Sequence, residues 1–290
     1  MDKLIIEAAI NEATTKEQNP QVPYGPEEIA ADAVACVRAG ASIVHFHARD
    51  PATGEQRWID AGLYAEAMRL IQQECDAVLY PTYSARLPLE ERYSHFEALG
   101  NETGVTFEMA TIDLGAVNMA AFDPTSHQLG RDFVYNNLHG DVMRFFELAK
   151  EIGVIYNLGI REPGHLRHAL AYREMGLLRE PLILKFFFTD NHPYGLPPTV
   201  RGLQAYLDML PPGLPHVWFI QSYGASHTLM QSLAISLGGH VRTGIGDNPR
   251  LDGRPVTSVR HVEKFVGIAN RFGREIASPA DARAMLGLTS

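Results

Sequence analysis

The sequence predicts an α/β fold, a (β/α)8 barrel of the TIM type, on three observations. Apolar, β-branched runs alternate with segments of helical period from end to end. Eight such units fit within 290 residues, the usual size of a barrel and crowded for an open doubly wound sheet. No composition shift, low-complexity tract or short repeat marks a linker, so residues 1–290 are expected to form a single domain.

The elements follow in order. The first strand run is Leu4–Ile10, followed by a helix over Pro26–Arg38, with proline suited to its first turn and Gly40 to its stop. Ser42–His47 is the second strand, and the helix after it runs from Asp60, a fitting N-cap, to Glu74. Ala77–Thr82 and Leu89–Ala98 form the third unit. Val105–Met109 reads as the fourth strand, and a long connection leads to a helix over Asp141–Lys150. The second half pairs Val154–Leu158 with His165–Met175, then Leu182–Phe188 with Val200–Met209. Val217–Ile220 precedes Ser226–Leu237, and His240–Thr243 precedes Thr257–Phe272, with a short last helix from Pro279.

Bulk properties narrow the class. A hydrophobic content of 46% supports a sizeable core. A formal charge of −9 with no basic stretch argues against nucleic acid. Cys36 and Cys75 sit in or at the end of helical segments, which favours free thiols and a reducing, cytoplasmic setting. The start, MDKLIIEAAINEA, is too acidic and too briefly apolar for a signal peptide, and no window is long enough to cross a membrane.

In a barrel of this kind chemistry sits at the carboxyl ends of the strands, so polar residues there carry the argument. His45 and His47 are two apart on the second strand and share a face. Two neutral imidazoles converging at a barrel mouth make two legs of a metal site, and satisfied rim histidines are the alternative. Glu7 shares the inward face of strand one with Ala9 and Asn11. A buried carboxylate needs a cation, either a metal or a barrel base such as Arg49 or Lys185. Strand eight continues through Arg242 and Gly244 to Asp247, offering a clamp, a close backbone approach and an acid. Thr82 and Thr111 bring hydroxyls to the ends of strands three and four.

At AAINEATTKEQNPQVPYGPEEIA, AGASIVHFHARD, FEMATIDLGAVN, GGHVRTGIGDN and GREIASPADARAML the chain resembles the β-keto acid cleavage enzymes, in order and over nearly its whole length. The resemblance implies a barrel holding zinc or another divalent metal. It also implies acetyl-CoA as co-substrate, a β-keto acid as substrate, and a homo-oligomer such as a tetramer. By position His45 and His47 match the metal-binding histidines, and Arg242 and Asp247 match the catalytic arginine and aspartate. Thr111 matches a threonine of the site, and Thr82 stands where a serine helps to hold the keto acid's carboxylate. The chain departs from the pattern at Gly246, where the family carries its glutamate metal ligand. A strand-five glutamate of the family falls near Gly159. Glu7 is the expected replacement ligand, and a two-histidine site completed by water and substrate is the alternative. Asn11 and Glu12, with Tyr83, Arg86 and the loop 191–198, are expected to line the substrate pocket, Glu12 near the position associated with an amino-bearing substrate.

The expected reaction is acyl transfer from the keto acid to CoA, with acetoacetate released. A metal-dependent lyase or hydrolase acting without CoA, or a barrel that binds without turnover, is the alternative that the altered ligand set leaves open.

Overall fold

A computed structural model describes residues 2–84, 86–101, 104–130 and 133–288. Its central strands are β1 (Ile6–Ala9), β2 (Ile43–Phe46), β3 (Val78–Pro81), β4 (Met109–Asp113), β5 (Ile155–Ile160), β6 (Leu182–Thr189), β7 (His216–Tyr223) and β8 (His240–Thr243). They form one eight-stranded sheet in the order β3-β2-β1-β8-β7-β6-β5-β4, with every neighbouring pair parallel. Glu108 N donates to Leu79 O at 3.1 Å, which brings the two edge strands together and all but closes the barrel.

Around the strands run α1 (Pro26–Ala39), α2 (Ala61–Glu74), the short pair α3 (Leu89–Arg92) and α4 (Ser94–Gly100), and α5 (His139–Ile152). Then come α6 (Pro163–Glu174), α7 (Val200–Asp208), α8 (His227–Leu237), α9 (Ser258–Arg271) and α10 (Pro279–Leu286). Helix starts follow local chemistry. Asp60 Oδ1 accepts from Leu63 N at 3.0 Å, and Ser278 with Asp281 closes a capping box on α10.

Alternation along β1 sets the layers. Leu4, Ile6, Ala8 and Ile10 join Val44, Phe46 and Tyr64 in the layer between barrel and helices. Ile5, Ile43, Val78 and Phe219 fill the barrel floor, which Ala282 and Leu286 of α10 seal from below. The upper interior is polar, and there the strand ends open.

Two elements differ from expectation. The fourth strand is Met109–Asp113, later than Val105–Met109. Val105 and Phe107 read as strand because they alternate, but they pack outward against the helices, and the ladder begins where Met109, Thr111 and Asp113 turn inward. The Leu89–Ala98 helix is two short helices, broken at Tyr93. That residue leaves helical geometry, its ring stacked on Tyr83 at 4.7 Å and tilted against Phe145 at 3.9 Å. The connection from β4 to α5 carries two short antiparallel ladders, Val117–Asn118 with Val134–Tyr135 and Phe122–Asp123 with Gln128–Leu129.

Candidate active site

The strand ends enclose a cavity of about 700 Å³ lined from every strand and from the β4–α5 connection. On one side, Glu12, His45 and His47 bring ligand atoms within 4.8 Å of one another, all three residues buried. His45 Nδ1–H donates to the Tyr80 carbonyl at 3.1 Å, which leaves Nε2 with its lone pair facing Glu12 Oε1 at 3.6 Å. His47 Nδ1–H donates to Gln56 Oε1 at 3.0 Å, and Gln56 Nε2 donates in turn to the Glu12 carbonyl. Such outer partners fix the tautomer and the ring angle of a metal-binding histidine. Burial, helped by Arg242, pulls His45 well below the usual imidazole range, and burial takes His47 down to about 3. Both rings are neutral at pH 7, the form that binds metal.

Glu12 is held in an uncommon backbone conformation, φ +24°, at the turn after β1. Its Oε1 accepts from Arg242 NH2, and its Oε2 is buried without any hydrogen-bond partner. Burial raises this carboxyl to about 8, against the pull of Arg242. A Cβ at position 246 would lie 1.5 Å from Glu12 Oε2, so glycine is what lets the carboxylate occupy this space. An orphaned buried carboxylate oxygen beside two imidazole lone pairs is a donor set that fits a divalent ion.

Glu7 does not join this group. Its Oε1 accepts from Lys185 Nζ at 2.9 Å, from Arg242 NH1 and from the Tyr80 hydroxyl. Burial opposes its ionisation, but Lys185 and Arg242 together hold its carboxyl below the usual range. Glu7, expected as the third ligand, therefore lies outside the trio, and the carboxyl group beside the two histidines is that of Glu12. Glu7 sits one layer deeper, opposite Arg242 in the β1–β8 register, where barrel bases satisfy it.

Arg242, read from the sequence as a clamp for an anion, has its donors engaged within the protein. Its five N–H donors go to Asp247 Oδ2 at 2.8 Å, Asp247 Oδ1 at 3.0 Å, Tyr80 OH at 3.2 Å, Glu7 and Glu12. None remains to clamp a substrate carboxylate. Asp247 lines the cavity and is steadied further by Gln221 Nε2 at 3.1 Å. Asn11, expected in the substrate pocket, does not line the cavity. Its amide donates to the carbonyls of Pro23 at 3.2 Å and His47 at 3.0 Å, and its Oδ1 accepts from His47 N at 2.8 Å. It pins the first loop to β2. Thr82 and Thr111 both line the cavity, as do Tyr83 and Arg86.

The far side, on β4 to β6, holds groups that the sequence reading missed. Asp113 Oδ2 accepts from Tyr83 OH at 3.0 Å and from Tyr135 OH, with Arg161 NH2 at 3.6 Å. Asp113 lies two residues beyond Thr111 on the same inward face, a period-two signal that the misplaced fourth strand concealed. Gln56 had no signal of its own, because its role comes from a turn folding back over β2.

The profile of the beta-keto acid cleavage enzyme family matches residues 3–288. A 3-keto-5-aminohexanoate cleavage enzyme of Fusobacterium nucleatum is 32% identical over 293 residues, covering 99% of each chain. A 3-dehydrocarnitine:acetyl-CoA trimethylamine transferase of Rhizobium meliloti is 26% identical, covering 95% of this chain and 93% of that one. The apo structure of ObcA superposes with a TM-score of 0.71 at 17% identity, covering 92% of this chain and 66% of that chain, a likeness of fold. Among the described residues no helix is long and apolar enough to cross a membrane.

Proposed function

The chain belongs to the beta-keto acid cleavage enzyme family, and on that premise we propose that it transfers the acyl group of a β-keto acid to CoA, taking acetyl-CoA and releasing acetoacetate. The observation that supports this most is the buried trio Glu12, His45 and His47 facing the cavity beside Asp247. Those three residues would hold a divalent ion, for which zinc fits the nitrogen-rich set. When bound, that ion would supply a Lewis acid for the keto acid's oxygens.

The chain's own residues do the rest. The keto acid R–CO–CH2–COO⁻ gives its R–CO group to sulfur and its CH2–COO⁻ group to the acetyl carbon. One C–C and one C–S bond break and one of each forms, so neither water nor an oxidant is consumed. Asp247 takes the proton from the CH2 carbon and returns it after the C–C bond has broken. Arg242 is a positioning residue that ties Asp247 and Glu12 to one guanidinium. The Thr82 hydroxyl receives the carboxylate in place of Arg242, whose donors are taken, while the Thr111 hydroxyl, on the same wall, donates to Asn157 Oδ1 at 3.2 Å.

The test is metal analysis of purified protein followed by an acetoacetate assay with and without acetyl-CoA. Product only in the presence of acetyl-CoA, lost on chelation, is the expected result. Turnover without acetyl-CoA makes the protein a lyase or hydrolase, and absence of both metal and turnover makes it a binding protein.

A further inference from the structure

Among the described residues that line the cavity, the buried guanidiniums of Arg242 and Arg161 are held in opposite ways. Arg242 has every donor engaged at hydrogen-bond distance. Arg161 has almost none. Its guanidinium carbon lies 3.8 Å from the centroid of the Phe187 ring and 5.2 Å from that of Tyr135, so aromatic faces fix its position. Its polar contacts are long: 3.4 Å to Tyr194 OH and 3.6 Å to Asp113 Oδ2, while Nε is buried with no partner. The side chain is only 13% exposed. A buried cation positioned by stacking, with one long hydrogen bond, one long ion pair and an unpartnered Nε, is a preformed receptor for a planar acceptor group.

Asp113 does not fill that need. Its Oδ2 is already taken by the hydroxyls of Tyr83 and Tyr135, and its Oδ1 is turned against Gly159, where a Cβ would meet it at 1.8 Å. It backs Arg161 without occupying the fork. In the barrel order β5, which leads into Arg161, lies across from β1, which leads into Glu12. Arg161 therefore faces the metal-ligand trio from the opposite wall of one cavity.

Resting on the keto-acid reading above, we propose that Arg161 anchors a second anionic group at the acyl end of the substrate, so that this chain's keto acid carries a carboxylate at each end. An ammonium tail meets the wrong charge at Arg161. An apolar tail leaves a buried guanidinium unsatisfied, which disfavours it. The names of the relatives do not decide the point, because they name different keto acids.

The test compares three β-keto acids of equal length, ending in carboxylate, methyl or ammonium, in the wild type and in Arg161→Met and Arg161→Lys. Acetoacetate formation should favour the terminal carboxylate by roughly 10- to 100-fold in kcat/KM, the worth of a charge-assisted pair. Arg161→Met should abolish that preference chiefly through KM, with Arg161→Lys restoring part of it. Equal rates on all three substrates, an ammonium preference, or a parallel loss on carboxylate and methyl substrates in Arg161→Met would overturn the proposal. Calorimetric binding of glutarate against butyrate supplies a readout without turnover. If no keto acid reacts yet glutarate binds more tightly through Arg161, the function proposed above fails and the anion site stands. If glutarate has no advantage over butyrate, the anion site fails whatever the turnover.

Discussion

Glu12 combines three costs that a structural residue has little reason to bear: a positive φ, a buried unpartnered oxygen and a carboxyl raised to about 8. Strain of about 1–3 kcal/mol collected at one residue is a mark of a functional position. Glu12→Ala and Glu12→Gln should lose stoichiometric metal on dialysis, with affinity falling by more than the roughly 10- to 100-fold that loss of an outer partner costs. Glu7→Gln should keep its metal and instead lose about 3–5 kcal/mol of stability in urea, because it leaves buried Lys185 short of its anion. Metal loss in Glu7→Gln at unchanged stability would reverse the two assignments. Gly246→Ala should weaken metal binding as well, since its Cβ displaces the Glu12 carboxylate. Of the trio, the histidines were legible from spacing alone. Glu12 was not, because its reach toward His45 depends on a backbone turn that no residue type announces.

At the scale of elements, the first loop is the piece that makes the site, and it is fastened to β2 by side chains. Asn11 exchanges two hydrogen bonds with the His47 backbone and donates a third to Pro23 O within the loop, and Arg49 donates to the carbonyls of Gly54 at 2.7 Å and Asn11 at 3.3 Å. Asn11→Ala should cost about 1–3 kcal/mol by urea unfolding, since it strands a buried backbone N–H and two carbonyls. It should weaken metal binding too, because the loop carries Glu12; unaltered affinity would separate the loop from the site. Periodicity located every barrel strand except the fourth. Met109–Asp113 alternates a buried outer face with Thr111 and Asp113, and polar residues on an inward face look like loop when only apolar runs are counted. That displacement hid Asp113, and with it the far wall of the pocket that Arg161 shares.

The whole molecule stores several imidazoles in neutral form. Burial lowers His95 and His227 to about 4, and His240 and His261 to about 3. In the unfolded chain the same groups protonate near 6.5. Each folded value lies below its unfolded one, so the unfolded state binds more protons as pH falls. Their stabilisation is complete above about pH 6.5 and drains away toward pH 4, by roughly 1–3 kcal/mol per histidine. Urea midpoints measured at pH 7.5, 5.5 and 4.5 should fall steeply; a flat series would contradict the burial of these rings.

Arg242 ends as a shared counter-ion, and its sharing sets a condition on what the loaded site contains. Three carboxylates, Glu7, Glu12 and Asp247, surround two cations, Arg242 and Lys185, while both cavity imidazoles are neutral. Burial, which raises the Glu12 carboxyl to about 8, favours a proton there in the free protein, and that would meet the surplus negative charge. A divalent ion held by the trio would replace that proton and leave the cluster one positive charge in excess. The carboxylate of one arriving keto acid brings the sum to zero. A neutral ketone would leave the buried excess standing, so the electroneutral occupancy of this cluster is one metal ion with one carboxylate, each favouring the retention of the other.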